Sequence, residues 1–231
     1  MGGLCCHVLN RGNGRAEVFH DDGDYAGFVE LLALACGRTP MRVLAWCLMP
    51  NHFHLVLWPR ADEDLAAWMQ WLMTSHVRRH HRRHGTSGHV WQGRFKSFPI
   101  QRRRLSAGQR AAGVIEGENP LWAVLRYVER NPLRANLVSR AEDWPWTSLS
   151  WVSGSSAAPA WVSRSWLARP AGWLAWVNAA ESAEELGALR RSVMRGRPFG
   201  SASWAKRTAA SLGLNHTLRP RGRPRKDAAE K

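Results

Sequence analysis

The chain has 231 residues, 45% of them hydrophobic and 22% charged, with fourteen tryptophans. That is enough for one well-packed domain with an appendage, and too apolar for disorder along the whole length. The formal charge is +15, from 33 basic and 18 acidic side chains, and no apolar run approaches the roughly 18 residues of a membrane helix, so nothing is expected to span a bilayer.

The charge is placed unevenly. Residues 75–110 hold ten Arg or Lys and no Asp or Glu, and residues 195–231 hold ten against two, so these stretches carry +18 and leave −3 elsewhere. Such patterning suits a surface that tracks phosphates; the blander reading is a coding bias toward Arg. Cys5, Cys6, Cys36 and Cys47 show no CxxC spacing and follow no hydrophobic leader. Neither a disulfide frame nor a zinc ribbon is indicated, and the thiols fit a reducing cytoplasm.

In chain order, CCHVLNRG reads as a short strand, followed by a Gly/Asn-rich turn and the acidic loop DDGDY. Tyr25, Phe28, Leu31, Leu32 and Ala35 then recur at helical intervals,. MRVLAWCLMPNHFHLVLWP reads as a hairpin, two β-rich runs about a turn at Met49-Pro50-Asn51,. A long amphipathic helix follows from residue 65 to about 84, apolar at Leu65, Trp68, Met69, Leu72 and Val77 and basic toward its end, where cations suit the helix dipole,. HVWQGRFKSFPI supplies an edge strand, residues 102–119 a Gly-rich loop, and Pro120 opens a second helix that Asn131-Pro132 closes,.

The sum is an α+β fold, an antiparallel sheet with helices on one face. A Ser/Ala/Pro-rich stretch at 152–165 reads as a linker after a first domain of 1–151. Residues 166–231 read as a helical, basic, DNA-binding extension with a flexible tail.

Three features carry chemistry. In a strand, residues i and i+2 face the same way about 6 to 7 Å apart, so His52 and His54 can converge on one ion while Phe53 points into the core. Two solvated imidazoles are the plain alternative, but Leu55, Val56, Leu57 and Trp58 mark a buried strand, where an unpartnered His is costly,. Tyr127 is one of only two tyrosines in the chain. It shares a helix face with Asn131, four residues on, whose amide oxygen suits a divalent ion as a third ligand. A core aromatic and a helix C-cap remain the structural alternatives for that pair. A cation on His52, His54 and Asn131 would polarise a phosphodiester and favour the phenolate of Tyr127, whose pKa is otherwise about 10. Tyr127 could then displace a 3′-oxygen and form a covalent phosphotyrosine that conserves the bond energy for rejoining.

The segments MPNHFHLVLWP, WQGRFKSF, LRYVERNPLRANLV and DWPWTSL resemble the HUH single-tyrosine transposases of the insertion-sequence-200-like family, specifically the REP-associated tyrosine transposases. The resemblance covers about residues 3–151. It implies a ferredoxin-like core, dependence on Mg²⁺ or Mn²⁺, hairpin-bearing single-stranded DNA as substrate and a 5′-phosphotyrosine intermediate in DNA transposition and recombination. By motif, His52 and His54 carry over as metal ligands, Tyr127 as nucleophile and Asn131 as third ligand. The chain departs from the family at 102–119, where a short acidic turn is usual and an Arg- and Gly-rich stretch stands instead. That segment bears on the delivery of Tyr127, and it motivates the alternative of a catalytically impaired or domesticated protein that only binds hairpin repeats.

For DNA, Arg78, Arg79, Arg82, Arg83, Arg94 and Lys96 are expected to line the backbone path, with Trp91 and Phe95 stacking on unpaired bases. A solvated helix end with core aromatics is the alternative for each. Arg-Gly-Arg-Pro occurs at 195–198 and again at 221–224; Arg221, Arg223 and Arg225 read as DNA contacts of a basic tail. The expected partner is DNA, with no membrane, in a monomer or homodimer that works in a prokaryotic cytoplasm in association with the nucleoid.

Overall fold

Strand β1 (Cys5–Arg11) is buried over its first six residues, because it lies inside the sheet and both of its faces are covered. Hydrogen bonds pair it antiparallel with β3 (His52–Pro59) on one side and β4 (Lys96–Ile100) on the other. The hairpin partner β2 (Met41–Met49) completes the sheet, in the order β2-β3-β1-β4. Helices α1 (Asp22–Arg38) and α2 (Asp64–His84) join the strands in the order β1-α1-β2-β3-α2-β4. This is the ferredoxin-like arrangement that the motifs implied. The structure is a computed structural model and describes residues 2–102, 119–154, 157, 159, 161–162 and 169–219.

Period-two alternation assigns each strand residue to a layer. Phe53, Leu55 and Leu57 of β3 join Phe28, Leu31 and Leu32 of α1 and Leu65, Trp68, Met69 and Leu72 of α2 in one core. Each such side chain, fully buried, contributes roughly 1.5–3 kcal/mol of transfer free energy. Val56 and Trp58 point the other way, into a second core shared with Val124, Leu125 and Val128. Those residues belong to α3 (Pro120–Glu129), which starts as the sequence indicates. Asn119 caps it by accepting from Leu121 N, and Pro120 occupies the first turn, where a missing N–H costs nothing,. A register shift between Val43 and Ala45 in β2 lets Leu44 and Ala45 both join this second core, as a bulge does when it re-aims side chains.

Beyond α3 the chain turns through α4 (Asn131–Arg134) and α5 (Leu149–Val152). On the way it covers the free edge of β2, where Leu48 N donates to Trp146 O and Ser148 N to Trp46 O. The C-terminal part forms α6 (Trp173–Asn178), α7 (Ala183–Arg195) and α8 (Ala202–Ser211). Trp173, Val177 and Leu189 from this part are buried in the same core as α3. Arg126 of α3 and Arg130, which caps its C-terminus, donate to the carbonyls of Ala179 and Ala180 and of Val177 and Asn178. Cationic donors thus satisfy the open carbonyls at the end of α6. Near the same end of α3 stands Glu129, 0% exposed, which accepts from Arg169, Ser148 and Trp173.

The helical reading of the C-terminal part is therefore met at α6 to α8. Most of the 102–119 segment, much of the stretch read as a linker and the tail from residue 220, including Arg221, Arg223 and Arg225, lie outside the described residues. No helix among the described residues is long and apolar enough to cross a membrane. The four cysteines are free thiols.

Candidate active site

The strand period that buries Phe53 turns His52 and His54 to the α3 face of the sheet. Their ring centroids lie 5.0 Å apart at 84° to one another. His54 is buried at 3% exposure, and the ring of Tyr127 from α3 meets it edge-on at 5.8 Å. Tyr127 is 7% exposed, and Asn131 one helical turn later is 9% exposed. All four line one cavity of 660 Å³, together with Arg11, Arg94, Lys96, Arg134 and Arg190. The HxH pair and the YxxxN pair, separated by more than seventy residues, thus share one pocket.

A hydrogen bond sets the His52 tautomer, and a second joins His54 to another ring. Asn51 Oδ1 is an acceptor 2.7 Å from His52 Nδ1, so Nδ1 carries the proton and Nε2 keeps its lone pair. His54 Nδ1 lies 2.8 Å from Nε2 of His7 on β1. With His54 as donor, its Nε2 is likewise the free lone pair, and His7 acts as the outer partner that orients a ligating ring. Burial pushes His52 down to about 4 and His7 to about 3, and holds His54 well below the ordinary imidazole value. All three rings are neutral near pH 7, the state in which an imidazole nitrogen can ligate a metal.

Arg134 governs the other half of the site. Its guanidinium lies 4.4 Å from the centroid of the Tyr127 ring and donates to Asn131 Oδ1 at 3.0 Å and to Tyr127 O at 3.2 Å. Glu181, in the turn before α7, holds it at 2.7 Å. The Asn131 oxygen has a second lone pair, and its buried Nδ2 has no hydrogen-bond partner. Two imidazole nitrogens and an amide oxygen are a donor set that a divalent ion fits. Burial raises the Tyr127 phenol above its ordinary pKa, while Arg134 and Arg190 pull it back.

The basic and aromatic candidates divide. Arg94 and Lys96 line the cavity with the histidines. Arg78, Arg79, Arg82 and Arg83 lie on α2, across the sheet, where Arg79 pairs with Glu30 and Arg83 with Asp21 and Asp24. Phe95 is half-buried against the α1/α2 core. Trp91 corrects the expectation of base stacking. It is 5% exposed, with its indole 5.2 Å from both Phe53 and His76, so packing leaves it no face for a base.

Sequence reading missed His7, Arg11, Arg134 and Arg190. Arg134 had a signal, since it stands seven residues from Tyr127 and three from Asn131 on one helical course. His7 had a weaker one, as a polar residue inside an apolar strand. Arg190 had none, because only the packing of α7 on α3 brings it to the pocket.

Residues 2–110 match the family model described as Transposase IS200 like. A curated protein of Haemophilus influenzae named as a REP-associated tyrosine transposase is 25% identical over 124 residues, 49% of this chain and 61% of that protein's length. Among solved structures, a REP-associated tyrosine transposase bound to a REP hairpin superposes with a TM-score of 0.50 at 16% identity, covering 79% of this chain and 88% of that one. A Deinococcus radiodurans protein described as a transposase matches over 47% of this chain and 84% of its own, with a TM-score of 0.36 at 18% identity. The family match contains both pocket histidines and ends before Tyr127. Residues 2–110 are thus similar to the IS200-like transposases, and REP-associated tyrosine transposases are among the proteins this chain resembles.

Proposed function

We propose that this chain is a transposase that cuts and rejoins single-stranded, hairpin-bearing DNA through a 5′-phosphotyrosine on Tyr127, at a divalent ion, Mg²⁺ or Mn²⁺, held by His52, His54 and Asn131. The observation that carries this reading is the single cavity lined by Tyr127, both histidines and Asn131. The ion, when bound, would polarise the scissile phosphate and offset the charge that builds on its oxygens. Every other part of the reaction falls to the chain's own groups.

Arg11, Arg94, Lys96 and Arg190 give the cavity a positive lining for phosphates,. Arg134 and Arg190 favour the phenolate, which burial opposes. The Tyr127 oxygen attacks phosphorus, the bond from phosphorus to the 3′-oxygen breaks, and that oxygen leaves as a hydroxyl after taking a proton. The 5′-phosphate stays on the tyrosine, and attack by another 3′-hydroxyl restores a phosphodiester and frees the phenol. Bonds broken and formed are of the same kind, so no nucleoside triphosphate is consumed. Outside the pocket, the tail arginines Arg221, Arg223 and Arg225 are proposed to add sequence-independent grip on DNA, as are the exposed guanidinium groups of α2.

The test is a labelled hairpin oligonucleotide incubated with protein and Mn²⁺, resolved on a denaturing gel. The expected result is a protein–DNA adduct that is absent in Tyr127→Phe and after chelation. Tight hairpin binding with no adduct under either metal would overturn catalysis and leave a hairpin-binding protein.

A further inference from the structure

On the α1/α2 side of the sheet, away from the pocket of Tyr127, three more imidazoles converge. His80 and His84 stand four apart on α2 and so share a helix face,. His20, exposed in the segment before α1, completes the group, with its ring centroid 5.1 Å from that of His84 and 6.1 Å from that of His80. The rings of His80 and His84 are 4.6 Å apart. One ring nitrogen from each of the three lies within 4.8 Å of the others.

We propose that His20, His80 and His84 form a second metal site, for a borderline d-block divalent ion such as Zn²⁺, which clips the segment before α1 to the end of α2. Three observations carry it. Both ring nitrogens of His80 are buried without a hydrogen-bond partner, a debt that buried polar groups in folded proteins rarely leave open. Asp24 preorganises the other two ligands, since its carboxylate accepts from His84 Nε2 at 2.9 Å and from the His20 backbone N–H at 2.9 Å. A carboxylate on the far nitrogen is the usual outer partner of a zinc-binding histidine. Finally, His80 lines an open cleft of 510 Å³ with Asp24, Glu30, His76, Arg79, Arg82 and Arg83, which gives an ion a way in, since Arg79 and Arg83 are neutralised by Glu30, Asp21 and Asp24.

The fit is chemical as well as spatial. Bonds of about 2.0–2.1 Å to a tetrahedral ion put ligand nitrogens about 3.3 Å apart, so the rings close by about 1.5 Å at most, a shift within reach of the exposed His20. Three imidazoles with no oxygen among them suit Zn²⁺ and its neighbours, whereas Mg²⁺ and Ca²⁺ call for oxygen, which the other pocket supplies through Asn131. The nearby cation Arg83 is drawn onto Asp21 and Asp24, and His81 faces away, toward Thr86 and Gly88. Burial and the neighbouring imidazole of His84 lower the His80 pKa, which favours its ligating form.

The experiment titrates Zn²⁺ into the full chain against a chromophoric chelator, in a His54→Gln background that removes a ligand from the other pocket. One equivalent is expected to bind, with a rise in Tm. His20→Gln added to that background should weaken binding at least about tenfold, and His80→Gln with His84→Gln should abolish it. No Zn²⁺ uptake in the His54→Gln chain, or unchanged uptake after His20→Gln, would overturn the site. His20 is exposed, so its variant decides the matter even if the double variant fails to fold. Formation of the DNA adduct is a separate readout and is expected to be unaffected by His20→Gln.

Discussion

The two faces of the sheet each gather histidines, and the difference lies in what surrounds them. On the α3 face, His7, His52 and His54 sit beside a phenol and an amide, with Arg11, Arg134 and Arg190 around the cavity. On the α1/α2 face, His20, His80 and His84 sit beside a carboxylate, and the adjacent arginines are paired with Asp21, Asp24 and Glu30. Imidazoles alone therefore say little about role. A nucleophile in a cavity lined by Arg11, Arg94, Lys96 and Arg190 suits the first group to phosphate chemistry, while acidic partners and two linked helices suit the second to a structural ion.

The largest separation between the faces should come from the ligands themselves. His54→Gln is expected to reduce adduct formation by about 10³-fold or more, since a metal ion contributes several kcal/mol of transition-state stabilisation. A rate unchanged in His54→Gln would remove the catalytic reading of the α3 face. A smaller effect should follow from the orienting partner. His7→Phe preserves the ring packing against Phe98 and removes the hydrogen bond to His54, so the Mn²⁺ concentration needed for half-maximal adduct formation should rise about 10–100-fold with little change at saturation. A fall at saturating Mn²⁺ instead would mean that His7 does more than orient.

A further expected effect, on stability and not on rate, is one the faces share. Burial lowers His7 and His76, one on each face, to about 3 in the folded chain, against about 6.5 when unfolded. The unfolded chain therefore binds the extra protons as pH falls. Stability is complete above about pH 6.5 and is lost toward pH 3, by about 1.4 kcal/mol per pH unit for each such histidine. In chelator, the urea midpoint should drop between pH 7 and pH 5, and an unchanged midpoint would show that neither ring is held neutral by burial.

Much of this molecule is legible in its residues. The hairpin about Met49-Pro50-Asn51, the helix from Pro120 and the shared orientation of His52 and His54 all follow from local rules of period and turn chemistry. Tyr127 stood out by scarcity and by its spacing to Asn131. Trp91 failed as a DNA contact because a tryptophan beside basic residues looks the same in sequence whether it stacks on a base or fills a core. The division of the arginines between the two faces was not legible for a similar reason, since charge runs do not say which face of a sheet their helix covers.

The sequence by itself determined which residues alternate, which recur at helical spacing and where the turns fall, because those depend on backbone geometry within a few residues. Only the tertiary structure decided that His7 supports His54 from a strand 47 positions away, that Arg190 reaches the phenol's cavity, and that His20 meets His80 and His84. Those meetings are set by antiparallel pairing and helix packing between distant segments, whose register no local pattern encodes.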